Sequence, residues 1–350
     1  MKAAVLLKNK NKLSILDDLE IPSLKKGQIL VKLAYSGVCH SQLMEVRGLR
    51  GIDKFLPHLL GHEGSGVVIK TGPQVKKVKK GDFVILGWIK GYGHDSGGCI
   101  FSSKKLNCNI NAGSVTTFSE FSVVSENRVT IKPDKLPLDV SVLFGCALLT
   151  GSGMIINDIK PPKGSNIAIF GLGGIGMSAL IALNLFNCKK IIAVDVSEAK
   201  LKLAKSLGAT HTINSSIQDP VDLIKNKICK KEGLQYSVEA SGKVKVIEQA
   251  FEAIMSNGGE CYFASHPEYG KKISLDPHEL ISGKKIFGSW GGGSFPDKDI
   301  PVLAKLYLDG KLPLEKLLGK KYTLETINKA LDDLEKKEIG RPLIVIDSSI

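Results

Sequence analysis

A glycine-rich turn in the middle of the chain constrains the fold more than any other feature. The segment Gly171-Leu172-Gly173-Gly174-Ile175-Gly176 follows the apolar run 167–170, and Asp195 lies nineteen residues beyond Gly176. This pattern is typical of a βαβ unit whose glycines let the backbone approach a dinucleotide pyrophosphate at a helix N-terminus. An ordinary glycine-rich turn between a strand and a helix is the alternative. The strand before the turn, the helix after it and the distance to Asp195 together favour the dinucleotide-binding unit. Because a carboxylate accepts hydrogen bonds from ribose hydroxyls and repels a 2′-phosphate, Asp195 favours NAD over NADP.

Size, charge and cysteine content narrow the class of protein. A chain of 350 residues predicts two domains, and no apolar run approaches the roughly 20 residues of a membrane span. The net charge is +13, but it comes from lysines spread along the chain, which indicates a solvated surface and no nucleic-acid partner. The seven cysteines, without a recognisable secretory signal, suit reduced thiols or metal ligands better than disulfides. We therefore expect a cytoplasmic protein with no membrane partner.

The hydrophobic pattern changes twice along the chain. Residues 1–147 contain short β segments separated by turns, such as 28–33, 66–69 and 82–86, which indicate a barrel-like or sandwich body. Residues 148–289 alternate strand and helix, which predicts a doubly wound parallel sheet of α/β class. Residues 290–350 have two helices and a last strand but no phosphate loop of their own. We expect them to pack back onto the first part.

Three residues of types that bind zinc occur at separate places in the first part. Cys39 follows a predicted strand, His62 lies in a Gly-His-Glu-Gly motif, and Cys146 ends that part. Two thiolates and one imidazole leave a fourth position open, as in a catalytic rather than a structural zinc site. Such a zinc polarises a carbonyl and lowers the pKa of a bound alcohol. The spacing alone does not exclude ordinary buried cysteines and a core histidine.

Taken together, the motifs resemble those of the medium-chain, zinc-dependent alcohol dehydrogenases across nearly the whole chain. The matching segments are 37–41, 61–64, 78–84, 117–121, 144–146 with Thr150-Gly151, 171–176 with Asp195, and Gly340-Arg341. The resemblance implies a GroES-like catalytic domain, residues 1–147 and 290–350, interrupted by a Rossmann domain, residues 148–289. It also implies a small-molecule alcohol or aldehyde substrate and a homodimer or homotetramer.

The resemblance further assigns roles to single residues. Cys39, His62 and Cys146 would bind the catalytic Zn²⁺, with Glu63 close by or as an alternate ligand. Ser41 would relay the alcohol proton, while His40 would face the cofactor pyrophosphate. The other residues expected near NAD are Thr150, Gly171, Gly173, Gly174, Ile175, Gly176, Asp195, Lys200 and Arg341. Trp88 falls where the family has an aromatic wall of the substrate pocket, and packing in the core is its alternative role.

The sequence also departs from the family pattern. In the stretch that holds a structural zinc in many members, only Cys99 and Cys108 remain, so we expect no structural zinc. A disulfide between them is an alternative that a reducing compartment disfavours. Gln42 replaces an aspartate that supports the zinc-ligand histidine, and we expect its amide oxygen to accept the His62 N–H. Met44 replaces a histidine that ends the proton relay in several members.

The leading hypothesis is an NAD-dependent zinc alcohol dehydrogenase that interconverts an alcohol with its aldehyde or ketone. The substrate is a primary or secondary alcohol, a polyol or a sugar derivative. One alternative is a zinc-free enone or quinone reductase of the same superfamily, although such members usually lack the ligand residues. The other is a non-catalytic member that binds NAD for regulation or structure.

Overall fold

The computed structural model describes residues 1–336 and 340–350, with only the backbone of Lys231, and the chain divides there into two compact units. Unit 1 comprises Met1–Cys146 and Phe295–Ile350, and unit 2 comprises Ala147–Ser294. The unit boundaries thus fall after residues 146 and 294, whereas the sequence pattern places them after 147 and 289.

The strands of the described residues follow one another along the chain. They are β1 (Ala3–Leu6), β2 (Ser14–Leu16), β3 (Leu19–Glu20), β4 (Gln28–Gly37), β5 (His58–Leu59), β6 (Glu63–Thr71), β7 (Phe83–Gly87), β8 (Cys99–Ser103), β9 (Cys108–Ala112), β10 (Phe121–Ser125), β11 (Val129–Ile131), β12 (Asn166–Phe170), β13 (Lys190–Asp195), β14 (His211–Asn214), β15 (Tyr236–Glu239), β16 (Glu260–Phe263), β17 (Lys285–Gly288), β18 (Leu318–Tyr322) and β19 (Arg341–Val345).

The α-helices of unit 2 alternate with its strands, whereas those of unit 1 range from four to 13 residues and follow no such alternation. The α-helices are α1 (His40–Val46), α2 (Leu138–Ser141), α3 (Ala147–Gly153), α4 (Gly174–Leu183), α5 (Glu198–Ser206), α6 (Pro220–Asp222), α7 (Val244–Ala253), α8 (Pro277–Ile281), α9 (Pro296–Leu308) and α10 (Ile327–Glu335). Short 3₁₀ segments occupy Glu126–Arg128, Val142–Gly145, Lys230–Glu232, Gly291–Gly293, Leu314–Leu317 and Leu324–Thr326, and π-helical segments occupy Met154–Ile159 and Leu223–Ile228. For residues 220–231 the sequence pattern predicts one continuous helix, but the structure has α6 followed by two irregular segments.

Unit 1 is built around the long strand β4. One sheet has the order β11-β7-β6-β4-β19-β18, with β10 also paired to β4, and a second has the order β2-β1-β5-β9-β8-β3. Ile29, Val31 and Leu33 alternate along β4 and are buried in one hydrophobic core. β4 is longer than predicted because its last residues pair antiparallel with β19, where Leu343 lies opposite Gly37. The C-terminal segment thus completes the sheet of the N-terminal part, as expected.

Packing of the C-terminal segment also fixes the short helix α1. Leu43 and Val46 of α1 share a buried core with Ile327 and Leu331 of α10 and with Ile344 of β19. Burying side chains of this size stabilises such contacts by roughly 2 kcal/mol each. Helix α1 therefore has a fixed position relative to the end of β4, although it has only seven residues.

A β-hairpin, β8–β9, occupies the stretch in which many members of the resembled family bind a structural zinc. Cys99 pairs with Ala112 and Ser103 pairs with Cys108, so the two cysteines lie at opposite ends of the hairpin. Four residues of strand separate them by about 13 Å, which excludes a disulfide. Both are free thiols. The Asp18 carboxylate accepts hydrogen bonds from the Ser103 hydroxyl and the Lys105 N–H and so fixes the turn between the strands.

Unit 2 is a parallel sheet in the order β14-β13-β12-β15-β16-β17. Chain order reverses at β12, which pairs with β13 on one side and β15 on the other. The carboxyl ends of such adjacent strands form the crevice in which doubly wound sheets bind ligands. The doubly wound parallel sheet predicted from the sequence is confirmed. The edge strand β17 was not predicted, because its four residues Lys285–Gly288 show neither an apolar run nor alternation.

Within the described residues, no single helix is long and apolar enough to cross a bilayer. Two consecutive segments separated by a bend, Leu138–Gly145 and Ala147–Ile159, are together long and apolar enough for a span, but by length and composition only.

Candidate active site

The structure brings together three side chains that lie far apart in the sequence. The ligand atoms of Cys39, His62 and Cys146 all lie within 4.8 Å of one another. Cys39 connects β4 to α1, His62 directly precedes β6, and Cys146 follows the 3₁₀ turn Val142–Gly145. The two thiols are largely buried, with 9% and 5% of their residues exposed. Because β4 and β6 are paired neighbours, the sheet register sets the distance between the first two.

Two glycines next to the cysteines allow this close approach. A Cβ atom on Gly37 would lie 2.3 Å from Glu63 Oε1, and one on Gly145 would lie 2.7 Å from Glu63 Cβ. Any other residue at either position would collide with the buried Glu63, and one at Gly145 would also collide with the Leu86 carbonyl. Sequence reasoning did not single out these glycines, although each lies within two residues of a predicted metal ligand.

A buried ion pair lies beside the three ligand residues. Glu63 is fully buried, Arg341 is 7% exposed, and Arg341 Nε lies 3.3 Å from Glu63 Oε1. Arg341 also donates a hydrogen bond from Nη1 to the Val38 carbonyl at 3.3 Å. Burial lowers the pKa of Arg341, but the charges of Glu63 and the two cysteines outweigh burial and raise it. Within unit 1, Arg341 thus contacts the metal-ligand cluster; its predicted cofactor contact stays a prediction.

A hydrogen bond between the two thiols, helped by nearby charges, makes one of the thiols ionise readily. A hydrogen bond from Cys146 lowers the pKa of Cys39 well below its usual value against burial, and Arg341 and His62 lower it further. That hydrogen bond, together with burial, raises the pKa of Cys146. Burial lowers the pKa of His62, but the neighbouring Cys39 and Glu63 raise it overall. A thiolate is thus available to bind a metal cation without further rearrangement.

The donor set fits zinc. His62 Nε2 is buried and makes no hydrogen bond within the described residues, so it is left as a ligand atom. Two sulfurs and one imidazole nitrogen are typical of zinc sites with an open fourth position. Within the part of the chain that the structure describes, this is the one cluster of three such residues close enough to hold an ion.

Helix α1 carries the predicted proton-relay residues. Ser41 Oγ lies 3.4 Å from His62 Nδ1, His40 is exposed, and Met44 is buried. The expectation for Gln42 was wrong: its amide oxygen accepts the Cys39 N–H at 3.0 Å, and its amide nitrogen faces His62 Nδ1 at 2.5 Å. The reason is local, because Gln42 is the third residue of α1 and completes a capping box with Cys39.

A cavity of about 670 Å³ adjoins these residues within unit 1. Gln42, His62, Leu60, Val115, Thr116 and Arg50 are among the residues that line it. This volume lies within the usual range for small-molecule sites. Trp88, the residue predicted to form a wall of the pocket, is half-buried, and its carbonyl accepts a hydrogen bond from Arg128.

In unit 2, the glycine loop joins β12 to α4. Because its glycines carry no side chains, a ligand can approach the backbone of the loop closely. Gly171 has a φ of +89°, and a Cβ on Gly176 would lie 1.9 Å from the Gly171 carbonyl oxygen. The turn therefore requires glycine at both positions, and α4 begins at Gly174. This is the cradle that a pyrophosphate needs, so the residues present fit a dinucleotide.

The other predicted cofactor residues of unit 2 lie in several different elements and differ in their hydrogen bonds. Asp195 ends β13, where its two carboxylate oxygens accept the Leu172 N–H at 2.6 Å and the Ser197 N–H at 2.9 Å. Thr150 Oγ1 is buried without a hydrogen-bond partner among the described residues, and so is left for a ligand. Ile175 lies in the first turn of α4, and Lys200 lies in α5. All remain predicted cofactor contacts.

Glu239 is a feature of unit 2 that sequence reasoning missed. It ends the central strand β15 with no exposed surface, and its Oε1 accepts hydrogen bonds from Ser241 N, Ser241 Oγ and Gly242 N at 2.5–3.0 Å. Ser241 in turn contacts the glycine loop, since a Cβ on Gly171 would lie 2.8 Å from its backbone nitrogen. Burial raises the pKa of Glu239 to about 7, although these hydrogen bonds oppose the rise. An acid that ends a strand of the parallel sheet beside the glycine turn is the signal that would have found it.

Comparisons with protein families and known proteins agree with this geometry. Residues 25–134 match the alcohol dehydrogenase GroES-like domain, and residues 174–308 match the zinc-binding dehydrogenase family. The chain is 30% identical to an S-(hydroxymethyl)glutathione dehydrogenase of Paracoccus denitrificans, with 98% of this chain and 99% of the relative covered. It is 31% identical to an alcohol dehydrogenase class-3 of Cereibacter sphaeroides, again with 98% and 99% covered.

Solved structures give the same result. The chain superposes on a benzyl alcohol dehydrogenase from Acinetobacter calcoaceticus with a TM-score of 0.88 and 31% identity, covering 99% of each chain. An alcohol dehydrogenase zinc-binding domain protein from Burkholderia ambifaria gives 0.89 and 31%, covering 98% of each. Fold and site together define a two-domain zinc dehydrogenase with a GroES-like and a Rossmann-type part. The chain belongs to the medium-chain zinc-dependent alcohol dehydrogenase family. It is an NAD-dependent alcohol dehydrogenase that acts on a small-molecule alcohol.

Glu239 makes the stability of the protein depend on pH. The raised pKa means that between about pH 4.5 and 7 the native state retains a proton that the unfolded chain releases. This contribution to stability is complete below pH 4.5 and is lost as the pH rises through 7. In Glu239→Gln, the free energy of unfolding from urea denaturation will therefore fall less between pH 5 and 7.5 than in the wild type.

Glu232→Gln is the matched control for this prediction. Glu232 is an acid of the same unit, and hydrogen bonds from Lys189 and Lys190 lower its pKa to about 2, so it does not titrate in this range. An equal pH slope in Glu239→Gln and wild type would contradict the assignment.

Proposed function

We propose that Cys39, His62 and Cys146 hold the catalytic zinc ion and leave its fourth position to the substrate oxygen. The observation that carries the proposal is the approach of their three ligand atoms to within 4.8 Å. Glu63 is buried beside these three residues and balances the charge of Arg341. It is also the alternate zinc ligand. When bound, zinc supplies a Lewis acid for the substrate oxygen, and NAD supplies the hydride acceptor.

The remaining residues bind, orient and move protons. Ser41 Oγ accepts the alcohol proton and passes it toward a cofactor ribose hydroxyl, and exposed His40 faces the pyrophosphate. The glycine turn Gly171, Gly173, Gly174 and Gly176 binds the pyrophosphate at the start of α4, and Asp195 binds the adenosine ribose. Thr150, Ile175, Lys200 and Arg341 complete the cofactor contacts. In this assignment residues 1–147 and 290–350 form the catalytic domain, and residues 148–289 form the NAD-binding domain.

The relatives direct the choice of substrates to test. The relative from Paracoccus denitrificans is named for S-(hydroxymethyl)glutathione, an alcohol formed on a thiol, and a solved neighbour is named for benzyl alcohol. The cavity of about 670 Å³ has room for either class. A panel of alcohols that contains both, read by NADH absorbance, identifies the preferred class.

We also propose that the chain forms a homodimer or homotetramer through β17 in the cytoplasm. β17 is an end strand of the described sheet, with Phe287, Trp290 and Ile281 exposed on or near it. An exposed strand edge of this kind is suited to pairing with a second copy. The seven cysteines are all free thiols, which supports a reducing compartment.

Removing one thiol will remove the metal and the activity. Cys146→Ala will reduce bound zinc, measured by metal analysis, from about one ion per chain to near zero, because two protein ligands do not retain it. Alcohol-dependent NADH formation will fall at least about 100-fold, since a Lewis acid supplies several kcal/mol. Cys261→Ala, a buried thiol of unit 2, is the control and will keep its zinc. Full activity in metal-free Cys146→Ala would refute the proposed site.

Asp195 will determine cofactor choice. Asp195→Ser will lower the ratio of kcat/KM with NAD to that with NADP by at least about tenfold, because the repulsion of the 2′-phosphate disappears. Glu198→Ser, an acid three residues further along the chain, controls for loss of charge alone. Unchanged selectivity in Asp195→Ser would show that another residue distinguishes the cofactors.

The oligomer will depend on the apolar edge at β17. Sedimentation velocity will give a multiple of the 37.7 kDa chain for the wild type and the monomer mass for Phe287→Asp, because a charge is costly to bury in an interface. Ile217→Asp is the control, since Ile217 is exposed near the opposite edge of the sheet, after β14. A Phe287→Asp variant that sediments like the wild type would rule out this interface.

A further inference from the structure

The two ring nitrogens of His62 have different surroundings. Nε2 is buried without a hydrogen bond among the described residues, which leaves it for the metal. A neutral imidazole that ligates a metal through Nε2 carries its single proton on Nδ1, so Nδ1 must donate a hydrogen bond. The polar atoms near Nδ1 are the Gln42 amide nitrogen at 2.5 Å and the Ser41 hydroxyl oxygen at 3.4 Å.

The Gln42 amide cannot serve both of its neighbours at once. Its Oε1 accepts the Cys39 N–H at 3.0 Å, which caps α1, and its nitrogen faces His62. Turning the amide over would offer Oε1 to His62 but would place the NH₂ group against the Cys39 N–H. Because Gln has one acceptor atom and both neighbours are donors once Nε2 ligates a metal, one donor lacks an acceptor in either orientation.

The Ser41 hydroxyl supplies the missing acceptor. We propose that Ser41, and not Gln42, accepts the His62 Nδ1–H when zinc is bound, so that Ser41 is a positioning residue for the metal ligand as well as a proton carrier. A hydroxyl has two acceptor lone pairs besides its O–H, so accepting this bond leaves its proton free for the relay. The inference rests on the proposed zinc site of Cys39, His62 and Cys146.

A double-mutant cycle on zinc affinity tests the inference without using activity. The zinc dissociation constant is measured by competition with a chromophoric chelator for the wild type, Ser41→Ala, Gln42→Glu and the double variant. Ser41→Ala alone will weaken zinc binding about tenfold or more, the usual effect of losing a ligand's hydrogen-bond partner. Gln42→Glu will tighten it, because a carboxylate has one oxygen for Cys39 and another for His62. In the Gln42→Glu background, Ser41→Ala will change the zinc dissociation constant less than about threefold.

The coupling between the two changes separates hydrogen bonding from charge. The negative charge of Gln42→Glu attracts zinc by itself, but charge alone would leave the effect of Ser41→Ala equal in both backgrounds. Met44→Leu, a buried substitution on the same helix, is the control and will leave zinc affinity unchanged. Melting temperatures of the metal-free proteins check folding, and Gln42→Asp completes the cycle if Gln42→Glu does not fold.

Three results would overturn the inference. Equal effects of Ser41→Ala in both backgrounds, or no effect in the wild-type background, would show that Ser41 does not accept from His62. A wild-type chain that binds no zinc would instead refute the proposed metal site, and the inference with it. Zinc binding without coupling would refute the role of Ser41 alone.

Discussion

The buried pair of Glu63 and Arg341 is the interaction on which the arrangement of the site depends. Two opposite charges are removed from water beside two thiols, which is costly unless each charge has its partner. Glu63 begins β6 and Arg341 begins β19, and both strands pair with β4, which leads into Cys39. The pairing that buries the charges therefore also positions the metal ligands, and the positive charge of Arg341 favours the Cys39 thiolate.

This dependence explains why the C-terminal segment returns to the first part of the chain. Without β19 the carboxylate of Glu63 would be buried without its cation, and the end of β4 would lose one of its two partner strands. The same segment supplies Ile327, Leu331 and Ile344 to the core that holds α1. The C-terminal segment thus supplies the cation that pairs with Glu63, completes the sheet and fixes the helix that carries Ser41 and Gln42.

The sequence predicted the parts of the site that depend on residue type and strand order. Residue type made Cys39, His62 and Cys146 candidate zinc ligands, and the resemblance to the family assigned them to one site. The 171–176 turn was identified because its glycines have a backbone function. The pairing of Arg341 with Glu63, the role of Glu239 and the edge strand β17 depend on three-dimensional proximity. No spacing in the chain encodes such proximity, and the four residues 285–288 are too few to show the periodicity that predicts a strand.

Gln42 shows why residue type alone can mislead even next to a well-predicted ligand. An amide oxygen near a histidine suggests a hydrogen bond, but α1 needs a cap at the position that Gln42 occupies. A backbone N–H at a helix start has few other acceptors, whereas His62 has the Ser41 hydroxyl within reach. The requirement of the short helix therefore decides where the single amide oxygen goes. In our proposal the hydrogen bond that supports His62 therefore comes from Ser41, the residue that we also propose as the carrier of the alcohol proton.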